Sequence, residues 1–157
     1  MTEPVTIIGS YLSPYVRKVL VFLHHKKIPY QIDPIVPFFG DERFSKLSPV
    51  RRIPVLICQY LEERHPEPSL YPRDVADRAR ARWLEEFADT RMGDVFIWKL
   101  FNQVVINPFV FGEKTDEAIL KQALSEDIPG VLDYLESQLP ADGCTFGAVS
   151  IADIAIA

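Results

Sequence analysis

The sequence has little cysteine and histidine. The chain of 157 residues contains two cysteines, Cys58 and Cys144, and three histidines. Two cysteines without a paired spacing do not indicate a disulfide framework, which favours a reducing compartment. The neighbouring His24 and His25 would point about 100° apart on a helix, so they could not easily share a metal ion. We therefore predict no metal site.

Long apolar runs and an excess of basic residues are also absent. The apolar runs reach about five residues, as in Val19–Leu23, whereas a membrane-spanning helix needs about 20. The first residues do not show the basic and then apolar pattern of a signal segment. The net charge is -5, which argues against a nucleic-acid-binding surface. We expect a soluble cytoplasmic protein that binds neither membranes nor nucleic acids.

The N-terminal pattern predicts a strand, a helix and a second strand. Val5–Ile8 is short, β-branched and followed by Gly9, which is typical of a buried strand. Ser13 is a good N-cap residue, and Pro14 fits the first position of a helix. The helix should bury one face, which carries Val16, Val19, Leu20 and Leu23. A strand over 28–32 follows, and two strands joined by a helix should run parallel with a right-handed crossover.

A discontinuity lies between Ile57 and Cys58. The segment IPVLI, at 53–57, is typical of a strand, and CQYLEERHP, at 58–66, is typical of the last two turns of a helix. No turn and no N-cap residue separates the two segments, although a strand and a helix normally need a short connection. We predict that residues are missing from the sequence at this junction.

The second half of the chain is helical in pattern and follows a Pro-rich linker at 67–72. A long helix is predicted over about 74–106, with a buried stripe of Ala76, Ala79, Trp83 and Phe87. An aromatic-rich loop should follow at 107–112, and Thr115 should cap the next helix. That helix should be kinked or split at Pro129. Its predicted core residues are Leu120, Leu124, Ile128, Val131, Leu132 and Leu135.

A last helix is predicted to begin at Ser150. Ser150 and Asp153 form a capping pattern in which Asp153 takes the place of the usual Glu or Gln. Val149 and Ile154 occupy the positions of a hydrophobic staple around this cap. Two turns of Ile and Ala are a poor chain end, because isolated helices of this length are marginally stable. We therefore expect the natural chain to continue beyond Ala157.

Four segments together resemble the cytosolic glutathione transferase family, in particular its serine-type, bacterial-like members. The segments are IIGSYLSPYVRKV at 7–19, SPVRRIPVLI at 48–57, CQYLEERHPEPSLYP at 58–72 and SIAD at 150–153. The resemblance covers essentially the whole chain. It implies a homodimer that binds glutathione as co-substrate, together with a hydrophobic electrophilic small molecule, and that needs no metal.

The same resemblance implies a fold of two domains. Residues 1–66 would form an α/β thioredoxin-like domain that binds glutathione, interrupted by the missing residues after Ile57. Residues 67–72 would form the linker. Residues 73–157 would form an all-α domain that is incomplete at its C-terminus.

The resemblance also assigns roles to residues of the glutathione site. The hydroxyl of Ser13 would donate a hydrogen bond to the glutathione thiolate, assisted by the positive end of the helix. Ser10 and Tyr11 are alternatives for this contact, and Ser13 would then serve only as an N-cap. Ile53 and a cis Pro54 would align the tripeptide like an added strand. Arg52 would lie near the glycine carboxylate of glutathione.

Two further features bear on the site. The wall of the pocket for the electrophile is predicted to include Tyr11, Leu12, Phe109 and Phe111. The family's Glu/Asp-Ser pair holds the γ-glutamyl carboxylate, and it would fall at the Ile57/Cys58 junction. This pair is absent from the sequence, as expected if residues are missing at this junction.

The resulting functional prediction is a glutathione transferase that ionises the thiol and conjugates it to an electrophile, with detoxification as the role that the resemblance suggests. One alternative is a glutathione-dependent isomerase on the same scaffold. Another is a non-catalytic binding module of the same family. A disulfide oxidoreductase is disfavoured because Ser13 and Val16 carry no thiol for disulfide exchange.

Overall fold

The computed structural model describes residues 4–34 and 57–157. Within it the chain divides into two compact units, Met1–Pro72 and Arg73–Ile156. We call these the first and second unit. Within the described ranges, no helix combines the length and the apolarity that crossing a membrane requires.

The first unit opens with two parallel strands joined by a helix. Strand β1 spans Val5–Ile8, helix α1 spans Pro14–His25, and strand β2 spans Tyr30–Asp33. The register places Val5 opposite Tyr30 and Ile8 opposite Asp33. The predicted parallel pairing is confirmed, and β2 begins two residues later than predicted. The carbonyl of Pro29 accepts a hydrogen bond from the Val5 amide at 2.9 Å, so pairing starts just before β2 itself.

Helix α1 is amphipathic, as its spacing predicts. Its buried side chains include the four predicted core residues, together with Phe22 and Lys18. The C-cap of the helix is Lys26, and Lys27 follows with a φ of 55°. Left-handed backbone here lets the Ile28 amide donate to the carbonyl of Leu23 at 2.9 Å, which closes the helix end.

The first unit closes with helix α2, which spans Ile57–Arg64. Cys58 and Leu61 are buried on α2, and Leu70 and Tyr71 are buried in the segment that follows. Residues 53–56 of the predicted third strand and the predicted cis bond before Pro54 lie outside the described residues. Ile57, predicted as the last residue of that strand, is instead the first residue of α2.

The second unit begins with a long helix. Helix α3 spans Val75–Phe87 and continues into Ala88–Phe111, a segment with the wider hydrogen-bond pattern of a π-helix. We call this the first π segment. Phe87 and Ala88 both keep right-handed helical backbone angles, so the helix is continuous. It ends at Gly112, whose φ is 66°.

Two predictions about this long helix are wrong. Residues 107–111 are helical and not a loop, because the widened pattern accommodates Pro108 near the helix end. Of the predicted stripe, Ala76, Ala79 and Trp83 are exposed, and only Phe87 is partly buried and packs against the core. The residues buried at helical spacing are Ala81, Leu84 and Ala88. Apolar residues occupy both faces of α3, and tertiary packing selects one of them.

The remaining helices are α4 at Glu117–Gln122, α5 at Ile128–Gln138 and α6 at Ile151–Ile156. A second π segment, Ala123–Asp127, joins α4 to α5 and ends just before Pro129. This change of helical type falls where the sequence predicts a kink or a split. The N-cap of α4 is Asp116, whose carboxylate accepts from the amides of residues 118 and 119. The predicted cap, Thr115, instead donates its hydroxyl to the Gln103 carbonyl at 2.8 Å.

One cluster of buried residues in the second unit consists of Val95, Val131 and Leu135. Two of the six predicted core residues of this region, Leu124 and Leu132, are exposed. Asp127 accepts hydrogen bonds from Arg91 at 2.8 Å and Lys99 at 3.0 Å, which ties the two π segments together. These two cations lower the pKa of Asp127, Arg91 most strongly.

The start of α6 confirms the predicted role of Asp153. One carboxylate oxygen accepts from the amide and the hydroxyl of Ser150 at 2.8 and 2.6 Å. The other accepts from the amide and the hydroxyl of Thr145 at 2.8 and 2.7 Å. Burial raises the pKa of Asp153, but the hydrogen bonds from Ser150 and Thr145 outweigh burial and leave the pKa below its ordinary value.

Candidate functional site

A tight turn between β1 and α1 holds the candidate site. The carbonyl of Ser10 accepts from the Ser13 amide at 3.0 Å, and the hydroxyl of Ser10 accepts from the Leu12 amide at 3.2 Å. These two bonds fold the chain back on itself directly after the strand. The turn therefore places two serine hydroxyls within four residues of each other at the start of α1.

Ser13 is the N-cap of α1, as the sequence predicts. Its backbone is extended, with φ -76° and ψ 123°, and its hydroxyl accepts from the Val16 amide at 3.4 Å. Its carbonyl accepts from the Arg17 amide at 3.0 Å, which begins the helix. A serine hydroxyl that accepts one hydrogen bond keeps its own proton and can donate it to a further group. The capping role therefore leaves Ser13 able to serve as a donor.

The electrostatic setting of Ser13 favours an anion. The N-terminus of a helix carries a partial positive charge, and Ser13 and Pro14 lie at that end of α1. Arg17 follows one turn later with an exposed side chain. A hydroxyl donor, the helix end and a nearby cation are suited to a sulfur anion, because each interaction favours the charged form.

The structure also places the other predicted residues of this turn. Ser10 is partly buried and lies at the end of the turn next to β1. Tyr11 and Leu12 form the tip of the turn and are 63% and 83% exposed. Two apolar side chains at this exposure are available to contact a ligand, which is consistent with the predicted pocket wall.

Phe109 and Phe111 lie in the last turn of the first π segment, in the second unit. Phe109 is 82% exposed, and Phe111 is 53% exposed. The prediction that they belong to a loop is wrong, although both side chains are exposed. Their role in the wall of an electrophile pocket stays a prediction.

Three predicted residues of the glutathione site, Arg52, Ile53 and Pro54, lie outside the described residues. The same is true of the segment that leads to the Ile57/Cys58 junction. In the part of the chain that the structure does describe, no three His, Cys, Asp or Glu side chains are grouped so that they could hold a metal ion.

Sequence reasoning missed a buried ion pair in the first unit. Lys26 Nζ lies 2.8 Å from Glu62 Oε2, and the Lys26 side chain is fully buried. Lys26 is the C-cap residue of α1, and a lysine at a helix end normally stays in solvent. No local pattern relates it to Glu62, which is remote in sequence.

Comparisons with known proteins agree with this architecture. The profile of the family "Glutathione S-transferase, N-terminal domain" matches residues 12–88. An uncharacterised GST-like protein of Escherichia coli, YibF, is 29% identical over 96% of this chain and 78% of its own length. The maleylacetoacetate isomerase of Dictyostelium discoideum is 37% identical over 52% of this chain and 46% of its own length. The FtsZ-localized protein A of Caulobacter vibrioides is 28% identical over 93% of this chain and 71% of its own length.

Solved structures show the same fold. A glutathione S-transferase from Rhodospirillum rubrum superposes with a TM-score of 0.84 at 25% identity, over 96% of this chain and 73% of that one. FzlA from C. crescentus superposes with a TM-score of 0.85 at 25% identity, over 98% of this chain and 75% of that one. The predicted fold class, a thioredoxin-like domain followed by an all-α domain, is confirmed.

The alignments also bear on the length of the chain. The alignment with YibF is 164 positions long, which exceeds the 157 residues of this chain, so it contains gaps here. YibF therefore has residues that this sequence lacks.

The matching profile, the curated relatives and the shared fold together show that this chain belongs to the glutathione transferase family.

Proposed function

We propose that this protein binds glutathione at the start of α1 and transfers its sulfur to an electrophilic small molecule. The observation that carries the proposal is the geometry of Ser13. Its hydroxyl caps α1 by accepting the Val16 amide and keeps a proton to donate. Membership of the glutathione transferase family supports glutathione as the ligand.

In this proposal Ser13 favours the ionised thiol. A free thiol has a pKa of about 8.5 and is mostly protonated at neutral pH. A charge-assisted hydrogen bond from a hydroxyl and the partial charge of the helix end both stabilise the thiolate. Lowering the thiol pKa by about two units needs roughly 2.7 kcal/mol, which these two interactions can supply together.

The tripeptide would be aligned by residues after β2. Ile53, next to Pro54, would pair its backbone with the cysteinyl backbone of glutathione, like a strand added to a sheet edge. Arg52 would neutralise the glycine carboxylate. The resemblance places the donors for the γ-glutamyl carboxylate at the Ile57/Cys58 junction, and this sequence does not contain the expected Glu/Asp-Ser pair there.

The chemical step is a nucleophilic addition or displacement. The thiol proton leaves to solvent, and the sulfur lone pair forms a bond to the electrophilic carbon. A leaving group departs with its electron pair, or the carbanion that addition forms takes up a proton. Tyr11, Leu12, Phe109 and Phe111 would contact the apolar part of the substrate.

A glutathione-dependent isomerase is a second candidate. The Dictyostelium relative is named a maleylacetoacetate isomerase. In an isomerase of this class, sulfur would add to a double bond and leave again after rotation about the single bond formed. The same thiolate stabilisation at Ser13 would serve both reactions, so the substrate distinguishes them.

A non-catalytic module is a third candidate. One relative is named for its localisation with FtsZ, and it matches over most of both chains. A module of this kind would keep the fold without needing an ionised thiol. Absence of glutathione binding would favour this candidate over both enzymatic ones.

The proposal extends to the assembly and setting of the protein. We propose a homodimer in the cytoplasm, where glutathione is abundant and thiols stay reduced. Detoxification is the role that we propose for the conjugation reaction. The two cysteines need no disulfide in this setting, and neither forms one.

Calorimetric titration with millimolar glutathione tests the proposal, followed by conjugation to a chromogenic aryl halide. We expect binding and turnover, and Ser13→Ala should lower turnover by about tenfold or more, since a hydrogen bond to a charged group contributes about 1.5–3 kcal/mol. Ser13→Thr keeps the hydroxyl and the cap and should remain active, as the matched control. No binding by the wild-type protein would contradict both enzymatic candidates.

A further inference from the structure

A lysine ammonium is buried where the chain leaves α2. The Lys26 side chain has 0% exposure, and Nζ lies 2.8 Å from Glu62 Oε2. Nζ also donates to the carbonyl of His65 and, at 2.8 Å, to the carbonyl of Pro68. The ring of Phe22 lies 5.2 Å from Nζ, measured to its centroid. The three ammonium protons thus have three oxygen acceptors.

The carboxylate of Glu62 extends this arrangement into the following segment. Oε1 accepts from the Ser69 hydroxyl at 2.8 Å and from the Leu70 amide at 3.2 Å. Leu70 is fully buried. Lys26 thus binds the carbonyls of residues 65 and 68, and Glu62 binds the donor groups of residues 69 and 70.

The acceptors of Lys26 show that its ammonium binds a later segment of the chain and not the end of its own helix. A lysine at a helix C-terminus usually interacts with the last carbonyls of its own helix. The ammonium of Lys26 instead binds acceptors that are 36 to 42 positions later in the chain. A fully buried ammonium is costly unless it is paired and hydrogen-bonded, and here the partners come almost entirely from one later segment.

We propose that the Lys26–Glu62 pair is an anchor that fixes the segment 65–70 on the first unit and so determines the course of the chain toward Arg73. Removal of Lys26 would leave the Glu62 carboxylate partly buried without its cation and two carbonyls without a donor. The segment would then open locally while the helices of the second unit stay folded. Ser13 lies at the opposite end of the 12-residue α1, about 18 Å away, so the anchor does not depend on the proposed glutathione site.

Hydrogen exchange of the full chain, read by mass spectrometry and by the Leu70 amide signal, tests the anchor. In Lys26→Met, exchange over 61–72 should be faster by about tenfold or more, because buried groups lose their partners. Exchange in α5 should be unchanged. Lys27→Met removes the neighbouring exposed lysine and should leave exchange over 61–72 as in the wild type.

Glu62→Gln provides a second and milder variant, which keeps the shape and one acceptor oxygen. It should accelerate exchange over the same segment by a smaller factor, and it decides the question if Lys26→Met does not fold. Unchanged exchange over 61–72 in the folded variants would overturn the proposal. An equal acceleration in α5 would also overturn it, because the pair would then support global stability and not this segment.

Discussion

At the residue scale, Ser13 has one observed role, as the N-cap of α1, and one proposed role, as a donor to the glutathione thiolate, and the two would use different parts of one hydroxyl. The oxygen accepts the Val16 amide, and the proton remains available to a ligand. The capping role depends on residues within one helical turn, so the sequence predicts it. The ligand role depends on what occupies the site, and it follows from family membership together with this geometry.

Lys27 offers a test of backbone strain at the end of α1. Its φ of 55° is left-handed, which costs a non-glycine residue about 1–2 kcal/mol. Lys27→Gly removes this strain but increases the freedom of the unfolded chain, so we expect a net gain of roughly 0.5–1 kcal/mol in the free energy of unfolding. Urea denaturation measures this gain. Lys27→Ala keeps the strain and should give no comparable gain, and equal stability of the two variants would contradict the account.

The sequence does not reveal the ion pairs whose two partners are far apart in the chain. Lys26 pairs with Glu62, 36 positions away, after the chain has passed through β2 and the residues before α2. Asp127 pairs with Arg91 in the same manner. A helical pattern places each of these side chains on a helix, but only the packed fold decides which charges meet.

At the element scale, the end of the first π segment depends on one glycine. Gly112 has a φ of 66°, and a Cβ placed there would have no atom within 4 Å. Gly112→Ala should therefore destabilise the protein through backbone strain alone, by about 1 kcal/mol. Thermal or urea unfolding measures the loss.

Gly130 is the matched control for this change. A Cβ at Gly130 would also meet no atom within 4 Å, but Gly130 lies inside α5 with an ordinary helical backbone. Gly130→Ala should stabilise the protein by about 0.5–1 kcal/mol, because alanine loses less freedom than glycine on entering a helix. The two substitutions are chemically identical, and effects of the same sign would contradict the assignment of the helix end.

The cap of α6 contributes a pH-dependent stability. Asp153 accepts four hydrogen bonds from Ser150 and Thr145. Asp153→Asn should lower the free energy of unfolding by about 1–2 kcal/mol at neutral pH, as for loss of a strong cap. Asp133→Asn, an exposed change on α5, should alter stability by less than about 0.5 kcal/mol.

The sign of the pH dependence follows from the lowered pKa of Asp153. A carboxyl with a lower pKa in the folded state stabilises the protein fully above its unfolded pKa of about 3.9. This contribution is lost as the pH falls below that value and through the folded pKa. The difference between wild type and Asp153→Asn should therefore shrink in urea titrations below about pH 4, and a difference that stays constant down to pH 3 would contradict the account.

Single helices and strands differ in how well the sequence pattern predicts them. The strand, turn and helix at the start of the chain were predictable because a single buried face and a clear cap specify them. Helix α3 has apolar residues on two faces, and the buried face is the one that packs against α6. Trp83 lies on the other face, where its indole N–H donates to the Tyr134 hydroxyl at 2.6 Å. A bulky aromatic residue is therefore a weaker indicator of the core than the small residues Ala81 and Ala88.

At the scale of the whole molecule, the fold and the family are better determined than the reaction. The order of elements and the capped α6 were predictable from four short segments, because these segments specify turns and caps. The substrate was not predictable, since the residues proposed for its pocket, such as Phe109 and Tyr11, would be selected by the ligand and not by local folding rules. Relatives of similar fold are named as transferases, as an isomerase and as an FtsZ-localized protein.

The central claim is that Ser13 stabilises the thiolate of bound glutathione. The most direct measurement is the pKa of the bound thiol, read from thiolate ultraviolet absorbance across a pH titration. For the wild type we expect a value about two units below the free value of about 8.5. Ser13→Ala should raise it by about one to two units, whereas Ser13→Thr and Ser10→Ala should leave it near the wild-type value. An unshifted thiol in the wild type, or a rise in Ser10→Ala but not in Ser13→Ala, would contradict the claim.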